Sequence, residues 1–178
     1  MYYFLEMKNK IVPFLVFFFF IFIFFVFYKS LNQTNIYTPN VNLNKNIPEF
    51  EAKIFKSKES FSSKDFMLNE YYLINIWASW CAPCQLEHKY LLELNDINSL
   101  KMIGINYKDL KLNAENFLDD LGNPYDLILN DDNGKLSINL GAYGVPETFI
   151  VFNNKIVKKY TGPLNEINVQ EIQKILSQ

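Results

Sequence analysis

Cys81 and Cys84 are the only cysteines in the chain, and they stand where one sequence pattern gives way to another. Before them runs Tyr72-Leu73-Ile74-Asn75-Ile76-Trp77, an apolar stretch that reads as a buried strand. After them, Pro83 to Asn95 reads as a helix, with Leu86, Tyr90, Leu91 and Leu94 at helical spacing. A C-x-x-C at such a junction restricts the fold, because the end of a strand and the start of a helix must meet at the two thiols.

The chemistry asks for that arrangement. A cysteine at a helix start meets unpaired backbone N–H groups and the positive end of the helix dipole, which favour an anion. Its thiolate fraction rises, and the thiolate is the nucleophile. Cys84 lies one turn on, on the same side, where it can attack a mixed disulfide and release the product. Pro83 suits a first turn, where a missing N–H costs little and the fixed φ is already helical. Cys81 is therefore assigned as nucleophile and Cys84 as the resolving, more buried thiol. A C-x-x-C so placed is the sequence form of a thioredoxin-like redox site.

Two other readings compete. The cysteines could be inert core thiols, which the flanking Trp77 and Trp80 and the intervening Pro83 argue against. Cys81, Cys84 and His88 also spell C-x2-C-x3-H. A structural zinc takes four ligands and no second Cys/His pair exists, whereas copper(I) on two thiolates and an imidazole is chemically sound. His88, the only histidine, lies seven residues from Cys81, roughly 10.5 Å along a helix axis. That is too far for a Cys–His catalytic pair, so a surface-facing or cap-packing histidine is expected.

At 178 residues the chain is long enough for one domain and an extension. Its net charge of −2 and lack of a basic stretch argue against nucleic acid. Ile11 to Tyr28 is an unbroken apolar run of 18 residues, nine of them Phe, at the lower end of what crosses a bilayer as a helix. Lys8 and Lys10 precede it and Lys29 follows, too small an asymmetry to orient it. A cleaved signal peptide is the rival. The run is longer than a usual signal core, and Tyr28 to Thr34 contains no small-residue cleavage site. No cysteine follows closely enough for a lipoprotein. The expected organisation is a cytoplasmic N-terminus (1–10), a transmembrane signal anchor (11–28), a tether (29–46) and a soluble domain (47–178). A flexible tether of that length reaches roughly 25 Å.

Within the domain, Phe50 to Phe55 reads as a short strand, and Ser62 with Asp65 three residues on can open a short helical turn. Lys101–Asn106 is a buried strand. Ala114–Leu121 is a helix stopped by Gly122, and Tyr125–Leu129 is a strand. Asn130 to Gly134 is a turn without the spacing or closing Glu of a calcium loop. Leu136–Leu140 is a helical turn. Thr148–Phe152 and Ile156–Tyr160 form a hairpin across Asn153-Asn154, and Glu166–Leu176 is a closing amphipathic helix. The order predicts an α/β fold, a central mixed sheet with helices on both faces. Tyr107-Lys108-Asp109 follows a strand end, the side on which such sheets bind ligands, and is expected to line a partner groove.

Four stretches then match one family in order: Trp77–His88 (WASWCAPCQLEH), Gly104–Asp109 (GINYKD), Gly122–Tyr125 (GNPY) and Gly141–Phe149 (GAYGVPETF). Gly162-Pro163-Leu164 fits the region after the last strand. From about Ile47 onward the chain resembles the thioredoxin-like thiol:disulfide interchange proteins of cytochrome c maturation, the DsbE/CcmG family. The resemblance implies a thioredoxin-like fold behind one N-terminal transmembrane helix. It implies anchoring in the inner (cytoplasmic) membrane by a single pass, with the catalytic domain on the periplasmic side. It implies a redox-active Cys81–Cys84 disulfide and reduction of the disulfide in the C-x-x-C-H haem site of an apocytochrome c. Electrons would come from a membrane reductase of the DsbD/CcdA type. No cofactor or metal is expected.

The resemblance also assigns residues. Val145-Pro146 becomes the cis X-Pro that faces the nucleophile and lets the Val145 backbone pair with a bound peptide, with Gly144 giving room. Trp77 is expected in the core and Trp80 on the substrate-facing surface. Asn75 stands where general thioredoxins carry a buried Asp that moves protons for the resolving cysteine, and it cannot titrate. Glu147 and Glu87 are the acids that could relay a proton or tune the thiols, Glu147 being preferred because it follows Pro146 directly. The alternative is that both are solvated surface acids. Two other functions remain: a general extracytoplasmic disulfide reductase, and a copper-binding chaperone using the same thiols.

Overall fold

The structure is a computed structural model that describes residues 2–32 and 45–177. The chain divides into two compact units, Met1–Pro39 and Asn40–Gln178. Most of the expected tether, residues 33–44, lies outside the described residues.

The first unit is a single helix, α1 (Tyr2–Asn32), with Pro13 inside it. It extends past both ends of the span expected at 11–28. Its window Val12–Lys29 has a mean hydropathy of 2.4 and none of it is buried. It is the one helix among the described residues long and apolar enough to cross a membrane. Phe14, Phe17–Phe20, Phe22, Phe24, Phe25 and Phe27 are all exposed, which is costly in water and favourable in hydrocarbon.

The second unit is built on a five-stranded sheet. In chain order it contains β1 (Glu51–Lys53), β2 (Ser60–Ser62), a 3-10 turn (Ser63–Asp65), β3 (Tyr71–Trp77), α2 (Ala82–Asn95), β4 (Leu100–Tyr107), α3 (Lys111–Leu121), β5 (Leu127–Asp131), α4 (Lys135–Asn139), β6 (Glu147–Phe152), β7 (Lys155–Thr161) and α5 (Glu166–Leu176). The strand order is β5-β4-β3-β6-β7, and β1 and β2 form a separate antiparallel pair. β3, β4 and β5 are parallel, while β6 runs antiparallel to both β3 and β7. The sheet is mixed and thioredoxin-like.

β3 lies in the middle with both faces covered, which is why it reads as continuously apolar. Leu73 and Trp77 point into a core shared with Leu91 and Leu94 of α2, Ala114 and Leu118 of α3, and Val169 and Ile172 of α5. Tyr72, Ile74 and Ile76 point the other way, to Leu136 and Leu140 around α4 and to Phe61 and Phe66 near the β1–β2 pair. Helices thus cover both faces, unevenly. On the α4 side the ring edges of Phe61, Phe66 and Tyr72 meet face to edge at 4.7–5.4 Å between centroids, a geometry that aromatic quadrupoles favour.

Several boundaries move from expectation for local reasons. β5 begins at Leu127 rather than Tyr125. Asn123 Oδ1 accepts the Tyr125 N–H and Asp126 Oδ2 accepts the Met102 N–H, so side chains occupy the ladder there. α3 begins three residues early without a side-chain cap, so no capping residue marked its start. The capping box of Ser62 and Asp65 forms. Asn153 and Asn154 both take positive φ, 49° and 60°, the backbone of a tight hairpin turn. The domain begins slightly before Ile47: the Lys45 carbonyl accepts the Ile156 N–H, and Ile47 donates to the Asn154 carbonyl, along the free edge of β7.

Candidate active site

Cys81 caps α2. Its backbone is extended (φ −94°, ψ 104°), and its sulfur accepts the Cys84 N–H at 3.1 Å. The helix begins at Ala82, and Pro83 sits in its first turn. Cys81 and Cys84 are joined as a disulfide with their Cα atoms 5.3 Å apart. They are 4 % and 2 % exposed, so the difference in burial expected between them is slight in this oxidised form. The backbone N–H aimed at Cys81 Sγ and the open start of the helix are what a developing thiolate would use.

Behind the disulfide lies a closed polar network. Asn75, central in β3 on the α2 side, donates through Nδ2 to Glu87 Oε1 (2.9 Å) and to Thr148 Oγ1 (3.0 Å). It accepts the Tyr125 hydroxyl at Oδ1, 2.7 Å. Glu87 Oε2 accepts the Leu164 N–H at 2.7 Å. Glu87 is three residues beyond Cys84 on one helix and 0 % exposed. Burial pushes its carboxyl up to about 7 against the pull of the Leu164 N–H and Asn75. Burial, then the charge of Glu87, holds the Tyr125 hydroxyl well above its usual range.

Glu147 is in a different setting. It is 2 % exposed, its Oε1 accepts the Tyr143 N–H at 2.9 Å, and its Oε2 lies 2.6 Å from Lys159 Nζ. Both acids are buried, so neither is a solvated surface group. The sequence favoured Glu147, but it is Glu87 that joins the network behind the disulfide.

The Val145–Pro146 peptide is cis. Val145 packs against the core cluster that contains both cysteines, and the Pro146 carbonyl accepts the Gly162 N–H at 3.0 Å. Trp80 is 58 % exposed, with its indole N–H donating to the Lys108 carbonyl. Trp77 is buried and stacked on Tyr125. His88 is buried rather than surface-facing. Its Nε2 bonds the carbonyl of Gly122, the C-cap of α3, and its ring meets the edge of Phe117. Burial lowers its pKa. Among the described residues no three His, Cys, Asp or Glu side chains are placed to hold a metal ion.

Two contributors escaped the sequence reading. Asp109 was expected only to line a groove. Instead its carboxylate accepts the Ser79 N–H (2.6 Å), the Ser79 hydroxyl (2.7 Å), Asn106 Nδ2 (3.0 Å) and the Leu110 N–H (2.8 Å), tying the loop before Cys81 to the end of β4. Lys159 was not singled out at all. It follows Lys158 in a strand with three lysines, so nothing in the sequence marked it out.

A disulfide that caps the helix following the central strand, on this sheet and beside a cis-proline, defines a thiol–disulfide oxidoreductase of the thioredoxin class. The Redoxin family matches residues 42–176. The chain belongs to the DsbE thiol:disulfide interchange proteins. It is 41% identical over 128 residues to the DsbE of Vibrio cholerae, covering 71% of this chain and 69% of that one. It is 38% identical over 125 residues to the DsbE of Escherichia coli, covering 69% and 67%. Among solved structures, a DsbE described as putative from Chlorobium tepidum superposes with a TM-score of 0.64 at 19% identity, over 76% of this chain and 96% of that one.

Proposed function

We propose that this protein is a membrane-anchored dithiol reductase of the periplasm that reduces the haem-site disulfide of apocytochrome c during cytochrome c maturation. The carrying observation is the Cys81–Cys84 pair at the start of α2 with the cis Val145–Pro146 peptide packed against its cluster. The client is supported by the sequence resemblance in YKD, GNPY and GVPETF, and the location by the apolar α1.

In the reduced protein the Cys81 thiolate attacks one sulfur of the client disulfide, forming a mixed disulfide and expelling the other client sulfur as a thiolate. Cys84 then loses its proton and attacks Cys81 Sγ. The client leaves as a dithiol, two electrons richer, and the Cys81–Cys84 disulfide remains. Glu87, one turn beyond Cys84 and titrating near neutrality, takes that proton. Asn75, which cannot titrate, orients Glu87. A DsbD/CcdA-type membrane reductase returns the protein to the dithiol.

Substrate trapping tests the assignment. The Cys84→Ala chain, expressed in its own membrane with free thiols blocked, is expected to carry C-x-x-C-H cytochromes and a membrane reductase disulfide-linked to Cys81. Cys81→Ser captures nothing. A broad set of exported proteins in place of cytochromes would mean a general reductase instead. No adducts, with copper bound to the unaltered chain, would replace the redox role with metal delivery.

A further inference from the structure

The loop Gly141-Ala142-Tyr143-Gly144 leads directly into the cis Val145–Pro146 peptide and presents Tyr143, 64 % exposed. Two of its backbone N–H groups, those of Gly141 and Ala142, donate to carbonyls of α4. Its other fixed polar groups end on one ion pair. Lys159 Nζ donates to the Gly141 carbonyl at 2.8 Å, and Glu147, 2.6 Å from the same ammonium, accepts the Tyr143 N–H at 2.9 Å. The ammonium also lies 4.9 Å from the centroid of the Tyr143 ring and 5.3 Å from that of Phe149. Ala142 is buried in the core beside Leu136 and Leu140, but on either side of it the loop is open: a Cβ at Gly141 or Gly144 would meet nothing within 4 Å.

We propose that Lys159 is a positioning residue for partner binding: with Glu147 it holds this loop at Gly141 and Tyr143, and so fixes Tyr143 and the Val145 backbone where a disulfide-bearing polypeptide docks. The side chains of the pair are 7 % and 2 % exposed. Buried ion pairs add little net stability compared with apolar replacements, because desolvation offsets attraction. Here the pair instead satisfies the loop's own backbone, and its effect falls on geometry. The inference rests on the thiol–disulfide activity and not on the haem-site client.

The test measures single-turnover reduction of synthetic peptides with an internal Cys-x-x-Cys disulfide, with and without a following His, by the detergent-solubilised full chain. For Lys159→Met the half-saturating peptide concentration is expected to rise about tenfold, roughly 1.4 kcal/mol of binding. The maximal rate should change less than about twofold, since the thiols are untouched. Lys159→Arg, which keeps the charge, is expected to recover most of the affinity. An unchanged half-saturation, or a fall confined to the maximal rate, overturns the proposal. Should Lys159→Met not fold, the Glu147→Gln/Lys159→Met chain, which leaves no unpaired charge, is read in the same way. Indifference of the unaltered chain to the histidine counts against the haem-site client alone.

Discussion

Glu87 has neither oxygen in water and no cation among its hydrogen-bond partners, only an amide from Asn75 and the Leu164 N–H. Its folded pKa of about 7 lies above the ordinary 4.5. The native state therefore keeps a proton that the unfolded chain loses, and the associated stability is full below pH 4.5 and lost as pH rises through about 7. The full effect is on the order of 3 kcal/mol, most of it falling between pH 5 and pH 8. Glu87→Gln should flatten that decline, read by urea unfolding of the oxidised protein at pH 5 and pH 8. A variant that keeps the same decline would place the titration elsewhere. The residue's importance was half legible. Glu87 was named from its motif, but Tyr125, Thr148 and Leu164 come from 38 to 77 positions further along the chain, and nothing local announces that they converge on Asn75 and Glu87.

Among the elements, β4 passes close beneath two stacked rings. A Cβ on Gly104 would sit 2.8 Å from Trp77 Nε1 and 2.8 Å from Tyr125 Cδ2, inside the stack that those two rings form across the sheet. Neither ring is free to move, since Tyr125 holds Asn75 and Trp77 also packs on Phe117. Gly104→Ala should cost about 1–3 kcal/mol by overpacking, visible as a lower urea midpoint. An unchanged midpoint would show that the stack yields. Element types were largely readable. α5 matches at both ends because its apolar period is sustained, whereas β2 has one apolar residue, Phe61, and gave no pattern. Lys159 was hidden by a slip of register between Ile150 and Val151 against β7. That slip breaks strict alternation, so the face each β7 side chain takes could not be counted from the sequence.

At the level of the whole molecule, the two units differ in where their apolar side chains lie, exposed along α1 and buried around the sheet. The unit Asn40–Gln178 has its own buried core on each face of the sheet. A chain beginning at Asn40 should therefore keep the melting temperature and thiol reactivity of the full protein, measured by thermal unfolding and alkylation. A drop of several degrees would show that α1 contributes to the fold. The segment that follows the undescribed residues is sewn to the edge of β7 by the Lys45–Ile156 and Ile47–Asn154 hydrogen bonds and by burial of Ile47. A pull transmitted from the N-terminal side loads this short seam before it reaches the five-stranded sheet. Opening the seam moves the point of attachment from Lys45 to Phe50, whose backbone bonds Ser63, and frees about 17 Å of chain at 3.3–3.6 Å per extended residue, leaving the strands that position the thiols undisturbed.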